Sequence, residues 1–207
     1  RMSRGLGDVY KRQSLIKDIG NEEEQSLKGT FRLAVLPTIA PYLLPRFFQQ
    51  LSEKHTDLDI RMLEMKTAPT MAALQNGEID AAIIANQPTE SNLQGDILYY
   101  EQFFGYVAHN ESIFKKDLIR TADINDERLW LLDEGHCFRD QLMRFCQMEK
   151  VKVRQAAYRL GSLETFRRMV ESGNGITFIP ELATLQLSKE QKELVRPFAI
   201  PKPTREI

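Results

Sequence analysis

The chain has 207 residues, of which 42% are hydrophobic and 28% charged, a composition typical of a globular protein and not of a disordered or fibrous one. Its 28 basic and 29 acidic side chains nearly cancel, so the whole chain has no basic field with which to bind nucleic acid. It has no apolar run near the roughly 18 residues that span a membrane, and no export signal. We therefore expect a cytoplasmic protein whose two cysteines are free thiols.

The first half of the chain predicts alternating strands and helices. Residues 1–28 lack a regular pattern and are interpreted as a vector-derived or disordered leader followed by the end of a linker helix. Hydrophobic periodicity and turn residues then predict a first lobe in residues 29–100. Its strands are predicted at Phe31–Leu36, Leu58–Met65 and Ala81–Ala85, and its helices at Leu43–Lys54 and Thr67–Asn76, with Pro41 and Pro45 before the first helix or in its first turn.

The second half, residues 101–207, repeats the alternation and predicts a second lobe that ends near the return crossover to the first. The predicted elements are strands at Phe103–Ala108, Leu129–Leu132, Ala156–Leu160 and Ile176–Ile179, and helices after His136 and at Ser162–Ser172. Alternation of this kind is typical of parallel βαβ units. The fold class predicted is therefore α/β, with two Rossmann-like lobes and a cleft between them at the carboxyl ends of the strands.

The two cysteines lie nine positions apart, at Cys137 and Cys146, around a helical stripe formed by Phe138, Leu142 and Phe145. On a continuous helix, nine residues correspond to a rise of about 13.5 Å and about half a turn of rotation. A disulfide needs Cα atoms roughly 4.4–6.8 Å apart. If the two thiols pair, the helix between them must refold, which is typical of a redox switch rather than of a structural cross-link.

Cys137, at the predicted start of this helix, is a candidate reactive thiol. The free N–H groups of a helix N-terminus, together with His136 and Arg139, favour a thiolate, whereas the two acidic residues just upstream oppose it. The alternative is a pair of inert thiols, with Cys137 at an unreactive junction and Cys146 filling the core. The local pattern leaves both interpretations open.

Four segments together resemble the regulatory domain of the peroxide-sensing transcription regulators of the LysR type. They are LPTIAPYLLP, GHCFRDQLMRFC, SLETFRRMVESGNGITFIP and KPTREI, and the resemblance runs from Gly29 to Ile207. A two-lobed fold like that of the periplasmic binding proteins is common to LysR-type regulators in general. A histidine–cysteine pair followed nine residues later by a second cysteine is typical of the peroxide sensors among them.

The resemblance also implies roles for individual residues. Cys137 matches the peroxidatic cysteine and Cys146 its resolving partner, so these two would form a reversible disulfide. The residues that match those around the peroxide are Thr38, Thr67, His136, Asp140 and Arg205. Hydroxyl and imidazole groups of this kind orient the O–O bond and donate a proton to the leaving hydroxide.

Several of these residues also have ordinary structural explanations. Thr38 and Thr67 are each suited to cap the helix that follows, His136 to a turn, and Arg205 to a solvated tail. The three histidines and two cysteines form no ligand spacing such as CxxC or HExxH, and no glycine-rich nucleotide motif follows a strand. We expect neither a metal nor a cofactor.

The function that the resemblance implies is hydrogen peroxide sensing by part of a transcription factor, not enzymatic turnover. Its partners would be hydrogen peroxide, further copies of the chain in a homodimer or homotetramer, and a thiol reductant such as glutaredoxin or thioredoxin. DNA would be bound through a winged helix-turn-helix domain absent from this chain, with no role for a membrane. Two alternatives remain, a LysR-type domain that binds a small metabolite in the cleft and a thiol peroxidase.

Overall fold

The computed structural model describes residues 28–85, 92–124, 128–132, 136–146 and 161–207. Within these ranges, helices flank two β-sheets of three and four strands, and the predicted α/β class is confirmed. Most of the predicted leader and the strand predicted at 156–160 lie outside the described residues. Among the helices described, none has the length and apolar character required to cross a membrane.

The first sheet contains strands β1 (Gly29–Val35), β2 (Leu58–Glu64) and β3 (Ala81–Ile83) in the order β2-β1-β3, all parallel. Helix α1 (Ala40–Lys54) connects β1 to β2, and helix α2 (Thr67–Gln75) connects β2 to β3. Both units are parallel, as the alternating pattern predicts. Because β1 is central, the residues that follow it lie beside the carboxyl ends of both neighbouring strands.

Helix α1 differs from its prediction at its beginning. It starts at Ala40, with Pro41 in the first turn, where the missing N–H costs little. Pro45 lies inside the helix, so the prediction that it precedes the helix or lies in its first turn is wrong. Pro45 is exposed, and water can therefore reach the carbonyl that its missing N–H leaves unpaired. Phe48, predicted on the apolar face, is also exposed.

The second sheet is organised around strand β4 (Tyr100–Val107), which pairs antiparallel with three others. These are β5 (Ile176–Pro180), β6 (Val195–Pro197) and β7 (Thr204–Glu206). The prediction of parallel units is wrong for this strand. The physical reason is the path of the chain, because β4 leads from the first sheet into the second and β7 leads back, so the two run in opposite directions.

The remaining helices belong to the second half of the chain. They are α3 (Cys137–Phe145), α4 (Leu163–Glu171), α5 (Glu181–Thr184) and α6 (Lys189–Lys192), with short 3-10 helices at Ser112–Lys115 and Thr121–Asp123. The helix predicted at Ser162–Ser172 is confirmed as α4, with those two serines as its caps, and the Ser162 hydroxyl accepts the N–H of Thr165 at 3.1 Å. The strand predicted at Leu129–Leu132 is reduced to an isolated parallel bridge from Leu129 to Ile176.

The described residues form two main hydrophobic cores, one against each sheet, and a small third cluster of Ala34, Ala73 and Ile79. The first core contains Leu33, Val35, Leu36, Ile39, Ala40, Ala85, Cys137 and Ile207. The second core is larger and includes Phe103, Tyr106, Phe138, Leu142, Phe166, Ile176 and Phe178. Ile207 reaches the first core because its N–H donates to the Tyr99 carbonyl at 3.0 Å as the chain returns. The division into lobes at residue 100 stays a prediction.

Candidate functional site

Helix α3 carries the two cysteines at its ends. Its N-cap residue is His136, whose carbonyl accepts the N–H of Arg139 at 2.9 Å. Cys137 is the first helical residue, and Cys146 is the C-cap, whose N–H donates to the Leu142 carbonyl at 2.8 Å. The predicted helix is confirmed, and both thiols are free and buried. They are separated by about 13.5 Å along the helix axis.

Helix α3 lies between the two cores. The Cys137 side chain packs in the first core, whereas Phe138 and Leu142, each 1% exposed, pack in the second. Near the middle of the helix, Gln141 Nε2 donates to the Ala85 carbonyl at 3.1 Å, just beyond β3. Both cores therefore hold this helix, and a change in its backbone alters the contacts of both.

The Cys137 thiol is subject to opposing effects. Burial raises its pKa above the ordinary value of a cysteine, and this effect is the largest. The Thr67 hydroxyl, the positive charge of Arg205 and the N–H of Phe138 lower the pKa, in decreasing order, while the charge of Asp140 raises it slightly. The helix N-terminus does favour a thiolate, as the sequence predicts, but burial outweighs it.

The Thr67 hydroxyl is buried beside the Cys137 sulfur. Its Oγ1 atom makes no hydrogen bond of ordinary geometry to any described residue, although it is close enough to the thiol to lower the thiol pKa. Thr67 does not cap helix α2, because Lys66 is the N-cap and no side chain makes a capping bond there. A buried hydroxyl with unused hydrogen-bonding capacity, next to a thiol, is suited to hold a small polar molecule.

Arg205 connects this region to Thr38. Its Nη1 donates to Thr38 Oγ1 and its Nη2 to the Thr38 carbonyl oxygen, each at 3.1 Å. Both residues are 2% exposed, so Arg205 is not a solvated tail charge. Thr38 does not cap helix α1 either, because Ile39 is the N-cap and no side-chain capping bond is present. The Thr38 hydroxyl instead accepts from the guanidinium.

Sequence reasoning missed Glu101, which completes this network. Its Oε2 atom accepts a hydrogen bond from Nε of Arg205 at 2.8 Å and lies 2.7 Å from Nη2 in an ion pair. The strand was predicted to begin at Phe103, but it begins at Tyr100, and Glu101 therefore shares the buried face of β4 with Phe103 and Val107. The carboxylate of Glu101 falls at the same alternate positions of the strand as buried apolar side chains, and a carboxylate buried there needs a buried cation as its partner. This alternation in the sequence is the signal that would have identified Glu101.

A cavity of about 240 Å³ opens beside the start of helix α3. Its walls include Thr38, Lys66, His136 and Ser162, so it lies where β1 and β2 end and where α3 and α4 begin. This is the location predicted for a ligand in the cleft. His136 is 9% exposed at this wall. Asp140, in contrast, is exposed, and its contribution to the thiol is the weak electrostatic effect given above.

Cys146 lies in a chemically different environment from Cys137. Burial raises its pKa to about 11, and no described neighbour opposes that effect. The groups that favour ionisation are therefore gathered at Cys137. In the part of the chain that the structure describes, no group of three or more His, Cys, Asp or Glu side chains is placed to hold a metal ion.

The raised pKa of Cys137 predicts the pH dependence of its alkylation. Because the thiolate is the nucleophile, the rate of alkylation by iodoacetamide in a Cys146→Ser variant should rise about tenfold per pH unit from pH 7 to pH 9. The rise should continue through pH 9, since the folded-state pKa lies above the ordinary value. The denatured variant serves as the control, and a plateau below pH 8 in the folded protein would contradict this expectation.

The fold and the site define a class of protein. The LysR substrate binding domain family matches residues 24–207, and the chain belongs to this family. Within the family, its similarity is to OxyR. The crystal structure of OxyR from Porphyromonas gingivalis is 57% identical, with a TM-score of 0.79, over 86% of this chain and 81% of that chain.

Two further comparisons agree. Crystal structures of the reduced and oxidised forms of OxyR are each 30% identical, with TM-scores of 0.73 and 0.72, over 88% of this chain and 85% of those chains. The DNA-binding transcriptional dual regulator OxyR of Escherichia coli (strain K12) is 29% identical over 199 residues, which is 96% of this chain. The chain spans 65% of the length of that relative.

Proposed function

We propose that the chain is the hydrogen peroxide-sensing, self-associating regulatory domain of a cytoplasmic LysR-type transcription factor. The observation that carries the proposal is the position of Cys137, a buried thiol at a helix N-terminus beside the Thr67 hydroxyl and the Arg205 guanidinium. A second free thiol, Cys146, lies at the opposite end of the same helix. Similarity to OxyR structures in reduced and oxidised forms supports a domain with two redox states.

The first chemical step is attack of the Cys137 thiolate on one peroxide oxygen. The S–O bond forms with an electron pair from sulfur, and the O–O bond breaks to leave a sulfenic acid and a hydroxide, which takes up a proton to become water. Thr67 Oγ1 and the Arg205 Nη1 hydrogen that Thr38 does not accept are suited to hold the peroxide. His136, at the helix start, is suited to supply the proton.

In the second step, the sulfenic acid of Cys137 condenses with the thiol of Cys146. The S–S bond forms, and the sulfenic oxygen leaves as water. Because the two residues are about 13.5 Å apart along the axis of α3 and a disulfide needs Cα atoms roughly 4.4–6.8 Å apart, the helix must unwind. Oxidation of two thiols is thereby converted into refolding of the segment between them.

Refolding has consequences outside the segment. Phe138 and Leu142 must leave the second core, or be buried again in new places, when their helix unwinds. The surface of the second lobe then changes, and with it the way in which copies of the chain meet in a dimer or tetramer and present their DNA-binding domains. A dithiol reductant such as glutaredoxin or thioredoxin returns two electrons to the disulfide and restores the helix.

The cavity favours one alternative function. With Lys66 and His136 in its wall, the space of about 240 Å³ is suited to a small anionic metabolite, in which case the cysteines would be incidental. A thiol peroxidase is the third interpretation and differs from the sensor in turnover. The sensor is oxidised once and then needs an external reductant.

Mass spectrometry of the alkylated protein before and after one equivalent of hydrogen peroxide tests the proposal. We expect both thiols to be alkylated before treatment and both to be blocked afterwards, with about one peroxide consumed per domain. A metabolite-binding domain would leave both thiols free to react. Continued consumption of many equivalents of peroxide per domain, with a simple thiol as the only reductant, would indicate a peroxidase and contradict the proposal.

A further inference from the structure

Glu101 is a buried charge for which the proposed chemistry has no direct use. It is 2% exposed and lies in the first half of β4, directly opposite Arg205 in the β4–β7 ladder. A carboxylate buried to this extent is costly unless it is paired and hydrogen-bonded. Its position opposite Arg205 points to a role in the network that surrounds the reactive thiol.

Both oxygens of Glu101 are engaged. Oε2 accepts from Nε of Arg205 at 2.8 Å and is paired with Nη2 at 2.7 Å, and Oε1 accepts from the N–H of Leu182, at the beginning of α5, at 3.0 Å. The backbone N–H of Leu182 therefore holds one oxygen of the carboxylate, and the other oxygen contacts one edge of the guanidinium. The edge of the guanidinium formed by Nη1 and Nη2 faces Thr38.

Two aromatic rings complete the guanidinium pocket. The Arg205 Cζ atom lies 5.5 Å from the ring centre of Phe103 and 5.3 Å from that of Phe138, the residue next to Cys137. The two rings meet edge to face, with centres 5.0 Å apart. The rings limit tilting of the guanidinium plane, and the Glu101 carboxylate limits its rotation within that plane.

We propose that Glu101 is a positioning residue, which holds Arg205 so that the free Nη1 hydrogen and the positive charge face the peroxide beside Cys137. Hydrogen bonds to Glu101 and Thr38 use the N–H of Nε and one N–H each of Nη1 and Nη2, and Nη2 is also paired with Glu101, so one hydrogen of Nη1 is left for another acceptor. Glu101 acts through Arg205 and does not touch the peroxide. This inference rests on the proposed function, because it assigns Arg205 to the peroxide reaction.

The variant Glu101→Gln tests the proposal in a Cys146→Ser background, where oxidation stops at the Cys137 sulfenic acid. Glutamine keeps the size of the side chain, but its NH2 group cannot accept a hydrogen bond in place of a carboxylate oxygen, so either Arg205 or Leu182 loses its acceptor. We expect the rate constant for reaction with hydrogen peroxide to fall about tenfold or more, because a small displacement of an orienting group is costly to rate. In an Arg205→Lys background, the same change should cost less than about twofold.

The pH profile of Cys137 alkylation distinguishes two effects of Glu101, its positioning of Arg205 and the direct effect of its own negative charge on the thiol. Removal of a nearby negative charge should by itself move the profile to lower pH. If Glu101 holds Arg205 in place, its loss lets the positive charge move away from the thiol, and the profile should move to higher pH. A merely structural contact would lower the melting temperature without moving this profile to higher pH.

Glu181→Gln is the matched control. Glu181 lies at the start of α5, accepts the N–H of Gln102 at 3.2 Å and has no bond to Arg205, so its variant should react with peroxide at the unmodified rate. If Glu101→Gln does not fold, Glu101→Asp is the second variant, because it keeps the charge but its side chain is one methylene shorter and reaches Arg205 less well. Glu101→Asp should still slow the reaction more than Glu181→Gln does. A folded Glu101 variant that reacts within twofold of its parent would overturn the inference, whereas a parent that ignores peroxide would overturn the proposed function.

Discussion

Replacement of Cys137 by serine is expected to slow oxidation of the domain by hydrogen peroxide by about 1,000-fold or more, because a neutral serine hydroxyl is a poor nucleophile toward peroxide. Replacement of Cys146 by serine should leave the first step intact and trap the sulfenic acid on Cys137, which dimedone labels. The expected asymmetry follows from the surroundings of the two thiols. Thr67 and Arg205 favour ionisation of Cys137, whereas no described group does so for Cys146.

The two variants are controls for each other, since each retains one buried thiol. Rate constants from quenched time courses, with intact mass and dimedone labelling as readouts, separate slow oxidation from slow resolution. Dimedone labelling of Cys146 in the Cys137→Ser variant at the rate of the unmodified protein would reverse the assignment of the two roles.

Disulfide formation is expected to change hydrogen exchange most in helix α3. In the reduced protein, Phe138 to Phe145 lie in helix α3, which packs Phe138 and Leu142 into the second core, so the amides bonded within the helix should be protected. Once Cys137 and Cys146 are joined, the helix must unwind, and we expect these amides to exchange at least about 100-fold faster. Strand β1, central in its sheet, should remain protected in both states.

The measurement requires protein shown by mass spectrometry to contain the Cys137–Cys146 bond. Unchanged protection across α3 in such protein would exclude the refolding mechanism while leaving the thiol chemistry standing. Loss of protection in β1 as well would point to general unfolding instead of a local switch.

The packing of α3 also bears on the stability of the disulfide. Withdrawal of Phe138 and Leu142 from the second core costs up to about 3–6 kcal/mol at 1.5–3 kcal/mol for each buried side chain. Because this packing stabilises the reduced form, it raises the reduction potential, by up to about 60–130 mV if 1.4 kcal/mol corresponds to about 30 mV. A disulfide opposed in this way is readily reduced, as a sensor that must be reset requires.

Local structure was well predicted where a short stretch of chain decides it. The helix between Cys137 and Cys146, the helix predicted at Ser162–Ser172 and the parallel units of the first sheet follow from periodicity and turn residues within a few positions of one another. The interior position of Pro45 was not predicted, because exposure of that side of α1 depends on how the helix packs. The antiparallel pairing of β4 depends on the path of the returning chain.

The sequence by itself determined that two thiols stand at opposite ends of one helix, because their spacing and the apolar stripe between them lie within ten consecutive residues. Only the tertiary structure decided how those thiols ionise. Burial in the first core raises the pKa of Cys137, and the cation that opposes it, Arg205, is held by Glu101, 104 positions away in the chain. Desolvation and charge pairing depend on which groups lie close together in space, and a local sequence pattern does not show which distant residues come close to the thiol.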